Sequence, residues 1–249
     1  PELASLSGLP SDFCDYGRLI PSKRELLKTA SSRLMARKGS GLMAEYEEFL
    51  HQNADWVEDY ALFRLLKTAH GERPWPEWGE EYVYRDAPAL QKVRNEHQDS
   101  IVATQVTQFL FDRQWRELKL YAQERGICLF GDIPIYIALD SADAWAHREM
   151  LLVDEAGTPS HVAGVPPDYF SADGQLWGNP LYDWAYHEET GYDWWIKRMR
   201  HLSRQCDLVR IDHFRGFESF WSVPYGDKTA RNGEWVPGPQ DGVFEAMKK

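Results

Sequence analysis

The hydrophobic pattern of this chain changes period once. Up to about residue 125 the apolar positions recur three and four apart; beyond it they come in short unbroken runs or alternate. Residues 1–20 read as a lead-in, and Pro21 with Ser22 predicts a helix start. Leu26, Leu27, Ala30, Leu34 and Met35 then keep helical spacing until Gly39-Ser40-Gly41 stops it. A second helix is expected over about 42–51. Asp55 is the expected cap of a third, with Trp56, Tyr60, Phe63 and Leu66 on one face and Gly71 and Pro74 at its end. Trp75-Pro76-Glu77-Trp78 reads as a turn into two more helices, roughly 87–97 and 98–125, and Gly126 supplies the stop. The first half is predicted to be all helix.

From Ile127 the run Ile127-Cys128-Leu129-Phe130 has the continuous apolar character of a parallel strand covered on both faces. It leads into Gly131-Asp132 and a further extended stretch, 133–137. Asp140-Ser141-Ala142-Asp143 then reads as the cap of a short helix holding Ala144, Trp145 and His147. Residues 150–162 predict a hairpin turning at 155–158. The stretch 163–184 shows no period, and a segment so long, aromatic and rich in Pro and Gly is expected to be a functional loop. Asp193 can cap a helix carrying Trp194, Trp195, Met199 and Leu202. That helix leads into the apolar run 208–211, which carries Arg210, Asp212 and Phe214 at spacing two, so an extended strand would point all three to one side. Charges at the end of an otherwise buried strand cost on the order of several kcal/mol unless paired, so they are expected as a pair, set there either for chemistry or specificity or as a structural ion pair closing the strand. Strand 127–131, a crossover containing a helix, and strand 207–212 then form a βαβ unit, which predicts adjacent parallel strands and a right-handed crossover. Both strands carry carboxylates, Asp132 and Asp212, towards one edge of the sheet. That edge hosts active sites both in barrels of alternating strands and helices and in open doubly wound sheets.

Composition narrows the chemistry. The chain has 249 residues, 43% of them hydrophobic, enough for a sizeable core. Eleven Trp are more than packing requires, and aromatic faces stack on sugar rings, so carbohydrate is favoured over nucleotide or lipid. A formal net charge of −11 argues against nucleic acid or an anionic membrane as partner. Cys14, Cys128 and Cys206 are odd in number and lack metal-ligand spacing, which reads as reduced thiols in a cytoplasmic compartment. No G-x-G-x-x-G or P-loop occurs, and no apolar run reaches about 18 residues.

Four ordered motifs complete the pattern: Gly131-Asp132-Ile133-Pro134-Ile135, then Gly164-Val165-Pro166-Pro167-Asp168-Tyr169-Phe170, then Gln175-Leu176-Trp177-Gly178-Asn179-Pro180-Leu181-Tyr182, and Arg210-Ile211-Asp212-His213-Phe214-Arg215-Gly216. Together they resemble the 4-α-glucanotransferase family, also called amylomaltase or disproportionating enzyme, densely over about 126–240 and loosely before it. The resemblance implies an α/β fold, a (β/α)₈ barrel of the α-amylase clan, with 126–249 its central part and 1–125 a mainly helical subdomain or insertion. It also implies transfer of α-1,4-glucan segments between maltodextrins by a retaining double displacement, with no metal or organic cofactor. Asp212 matches the family's nucleophile, Arg210 the accompanying arginine and Asp132 the aspartate of the neighbouring strand. Trp177 resembles a sugar contact, Tyr169 and Phe170 the loop that shields the glycosyl-enzyme, and His213 and Asn179 match positions near the donor site. Asp168 is expected to be structural.

A retaining mechanism needs two carboxylates about 5–5.5 Å apart. The resemblance places the family's glutamate acid/base on a strand beyond residue 249, and neither Glu218 nor Glu234 sits in that motif. The sequence is therefore expected to be an internal slice of such an enzyme, inactive by itself. Three other functions fit parts of the pattern: a non-catalytic glucan-binding module, a hydrolytic glycosidase of the same clan, and a metal-dependent hydrolase using Asp212, His213 and Asp132. The absence of H-x-H and H-E-x-x-H spacing counts against the last.

Overall fold

A computed structural model describes residues 6–248. The chain divides into two compact units, one of residues 1–65 with 91–114 and one of 66–90 with 115–249. The first is helical. It holds α1 (Tyr16–Met35), α2 (Gly41–Gln52), most of α3 (Val57–Ala69) and the greater part of α6 (Gln98–Gln123). Leu34, Tyr46, Phe49, Val57, Val106 and Phe109 form its buried core. Helix α1 begins five residues before the expected Pro21, because the Asp15 carboxylate accepts the Arg18 N–H and caps an earlier turn. Pro21 lies inside the helix. Ser40 caps α2 through the Met43 N–H, and Asn53, not Asp55, organises the next junction: its carbonyl accepts the N–H groups of Trp56 and Val57.

The second unit begins with the end of α3, the one-turn helix α4 (Glu80–Val83) and the start of α5 (Ala87–Glu96). Gly126, at φ +69°, stops α6 where expected. The first strand, β1 (Phe130–Pro134), lies three residues later than the apolar run suggested. Ile127 and Phe130 are exposed, so that run is not covered on both faces. Next come α7 (Ala142–Ala146), capped by the Ser141 hydroxyl, and a tight turn in which Val153 bridges Pro159. The expected hairpin over 150–162 is confined to that turn. His161 opens β2 (His161–Val165), which pairs antiparallel with β3 (Gln175–Pro180). Residues 163–184 are therefore largely a hairpin, with a loop only over 166–174.

After α8 (Trp184–Glu189), α9 (Asp193–Gln205) starts from Tyr192 in a left-handed conformation without a side-chain cap. Asp193 is instead the first helical residue, and its carboxylate pairs with Lys197 at 2.6 Å, one turn on. The helix feeds β4 (Leu208–Asp212), which runs parallel to β1. Then β5 (Ser219–Pro224) and β6 (Glu234–Pro237) join the hairpin in a four-stranded antiparallel sheet of order β3-β2-β5-β6, and α10 (Gly242–Met247) follows. The core of this unit gathers Ile133, Ile135, Tyr136, Trp195 and Phe217 with a cluster of rings around the buried Tyr182.

Candidate active site

The parallel register sets Asp132 opposite Arg210 and Pro134 opposite Asp212. Both strands run the same way, so Asp132 and Asp212 lie towards a common edge, as the spacing required. Arg210 Nε donates to Asp132 Oδ1 at 2.9 Å, and its Nη2 donates to the other carboxylate oxygen, which makes the pair bidentate. The same Nη2 stands 4.0 Å from Asp212 Oδ1. The arginine fork is thus spent on Asp132, and Asp212 keeps a looser charge contact. That partnership holds the Asp132 carboxyl below its usual range, the Arg210 hydrogen bond being the largest cause, and raises the guanidinium in turn.

Two sequence expectations need correction here. The strand is not buried, since alternate β4 residues and the side chains of all three charged groups are exposed, so no interior desolvation is being offset. Their pairing says little about stability. Phe214 does not share the face of Arg210 and Asp212. His213 takes a left-handed conformation, φ +51°, which ends the strand, and Phe214 turns into a short 3-10 segment to stack on Phe244 at 5.1 Å.

The turn at His213 brings it to Trp177, whose ring meets the imidazole edge to face at 4.7 Å. Tyr136 also tilts against the indole, with ring centroids 6.3 Å apart. Burial pushes the His213 imidazole down against the pull of the Asp212 carboxylate, with Arg215 adding to the downward push. Its Nε2 is buried and has no hydrogen-bond partner among the described residues. Asn179 follows Trp177 by two along β3, and its Nδ2 donates to the Ile137 carbonyl at 2.9 Å. Tyr169 and Phe170 sit in the β2–β3 loop at 97% and 93% exposure, and their ring contact is with each other. Asp168 builds that loop by accepting the N–H groups of Phe170 and Ser171. Tyr136 was not foreseen; its spacing of two from Pro134 on the extended run was the available signal. Among the described residues no three His, Cys, Asp or Glu side chains are grouped so as to hold a metal ion. None of the described helices is long and apolar enough to cross a membrane.

Parallel strands that bring two aspartates and an arginine to a common edge, beside an aromatic contact, define an α/β protein with a candidate active site at its strand ends. A profile of the 4-alpha-glucanotransferase family matches residues 3–249, and the chain belongs to that family. It is 47% identical over 236 residues to the 4-alpha-glucanotransferase of Synechocystis, covering 94% of this chain and 47% of the relative. It is 42% identical over 242 residues to that of Thermus thermophilus, covering 97% and 48%. An amylomaltase of Streptococcus agalactiae in complex with acarbose superposes with a TM-score of 0.89 at 38% identity, over 97% of this chain and 48% of that one. An amylomaltase of Corynebacterium glutamicum, at 18% identity and a TM-score of 0.73, shares the fold over 96% of this chain and 31% of its own. The chain spans about half the length of the curated relatives it matches.

Proposed function

We propose that the protein carrying this chain is a 4-α-glucanotransferase that moves α-1,4-glucan segments between maltodextrins by a retaining double displacement. The observation that carries the reading is Asp212: an exposed carboxylate 4.0 Å from a guanidinium already fixed by another acid, and followed in the chain by a histidine whose ring packs on Trp177. In this account Asp212 attacks the anomeric carbon and forms a glycosyl ester as the glucan oxygen departs. Arg210 keeps positive charge beside the attacking carboxylate, and Asp132 holds Arg210 in plane. Trp177 stacks on a sugar ring, and the neutral His213 presents its unpartnered Nε2 to a sugar hydroxyl. Asn179 ties β3 to the segment after β1, at the donor side. Tyr169 and Phe170, exposed in the β2–β3 loop, are the residues that shield the glycosyl ester from water until an acceptor hydroxyl arrives; their exposed rings support that role.

The same reading makes β1 and β4 neighbouring strands of a (β/α)₈ barrel of the α-amylase clan, with 126–249 its central part and 1–125 a helical insertion. The acid/base partner of Asp212 then belongs to the part of the protein that this chain does not span. Residues 1–249 alone should transfer no glucan, since loss of general acid catalysis costs about 10²–10⁴-fold. Maltodextrins are the partners, without nucleic acid, membrane, metal or cofactor. The three cysteines, none in a disulfide, suit the cytoplasm.

The test is incubation of the whole protein with maltotriose, followed by chromatography. Glucose together with longer maltodextrins is expected, and Asp212→Asn should abolish both while binding of acarbose persists. Glucose without longer products would mark a hydrolase. Maltodextrin binding with no turnover would mark a binding module.

A further inference from the structure

The exit of β1 is held by side chains instead of by the sheet. Pro134 is the last residue of β1 and faces Asp212, the last of β4. Proline offers no N–H to a ladder, and with both strands ending there the carbonyls of Pro134 and Ile135 need partners from elsewhere. Arg198, on α9, supplies them: Nη2 donates to the Pro134 carbonyl at 2.7 Å and Nη1 to that of Ile135 at 3.1 Å. The Tyr182 hydroxyl donates to the same Ile135 carbonyl at 2.8 Å. The guanidinium lies over the rings of Trp194 and Trp195, 5.2 and 4.9 Å from their centroids, which fixes the plane of the fork. So the backbone directly opposite Asp212, two residues beyond the acid that clamps Arg210, is gripped from behind by one planar cation.

We propose that Arg198 is a positioning residue for glucan transfer, whose fork on the Pro134 and Ile135 carbonyls sets β1 against β4 and with it the spacing of Asp132, Arg210 and Asp212. This rests on the function proposed above. Two successive carbonyls need two N–H groups held in one plane, which a guanidinium provides and an ammonium does not. When the fork is lost the end of β1 relaxes, Asp132 moves with it, and Arg210 follows Asp132 away from its place beside the nucleophile. A misplacement of ~1 Å at reacting groups costs about 10²-fold in rate. Substrate binding along Trp177 and the β2–β3 loop is left largely as it was, so the loss falls on kcat.

The experiment compares wild type, Arg198→Met, Arg198→Lys and Tyr182→Phe of the whole protein for maltotriose redistribution, acarbose affinity and melting temperature, with kcat referred to folded protein. Arg198→Met should lower kcat about 10–100-fold while KM and acarbose affinity stay within about threefold. Arg198→Lys, able to reach one carbonyl at a time, should recover part of the loss, to about 3–30-fold below wild type, and Tyr182→Phe should show a smaller fall in the same sense. A kcat within about twofold of wild type in folded Arg198→Met overturns the proposal, as does a loss appearing equally in acarbose affinity. If Arg198→Met does not fold, Arg198→Lys decides, and a kcat within about twofold of wild type overturns it. Absence of redistribution by the wild type overturns the functional reading itself, a separate and recognisable failure.

Discussion

At Arg210 a single side chain joins two strands, and its geometry explains why the position is an arginine. Nε and Nη2 meet the two oxygens of Asp132 while Nη2 remains 4.0 Å from Asp212. Lysine could keep the charge but not the plane, so Arg210→Lys should lower kcat by roughly 10²-fold or more with little change in melting temperature, because the ion pair is exposed. Steady-state kinetics with maltotriose beside a thermal melt would check this; a kcat within tenfold of wild type would contradict it. Arg210, Asp212 and Asp132 were legible in sequence because alternation and strand ends put them on one edge. His213 against Trp177 was legible only as two motif positions. Their contact depends on the left-handed turn at His213, which no local pattern announces for a residue with a side chain.

At the scale of elements, α2, α5 and α6 lie within a few residues of their expected bounds, although the apolar positions of α6 fit the 3.6 period imperfectly. Their ends were less legible, since capping by Asp15 and Asn53 competes with equally plausible candidates nearby. The strands were harder. Only the end of the apolar stretch 127–130 enters the ladder, Phe130 pairing with Leu208, and β1 continues through Gly131, where a side chain would meet Cys206 Sγ at 2.5 Å. The β2–β3 hairpin lacked alternation because its core side relies on a glycine: a Cβ at Gly164 would lie 2.6 Å from the Gln175 carbonyl oxygen of the partner strand. Gly164→Ala should therefore force the two strands apart, destabilise the protein by about 1–3 kcal/mol and weaken glucan binding through displacement of Trp177. Chemical denaturation and acarbose titration would show it, and unchanged values for both would contradict the packing described.

For the whole molecule, a group that titrates in the acid range lies away from the reacting groups. His187 is buried beside Tyr182, Trp184 and Trp194, and burial lowers its pKa to about 4 against the smaller opposing effects of the Met150 backbone and the Asp183 charge. The unfolded chain binds this proton more readily, so the stability from a neutral His187 is intact above pH ~6.5 and lost as pH falls towards about 4, up to about 3 kcal/mol. His187→Leu should flatten the unfolding free energy across that window, as urea titrations at pH 7 and pH 4.5 would reveal; an unaltered slope would remove His187 as the cause. The central claim, that Asp212 is the nucleophile of a glucan transfer, has a more direct measurement. A 5-fluoro-α-glucosyl fluoride, with a good leaving group and a slowed second step, should accumulate an ester on the whole protein, and peptide mass spectrometry should place the added hexosyl mass on Asp212 and find none in Asp212→Asn. A label on any other carboxylate, or one that persists in Asp212→Asn, would contradict the account.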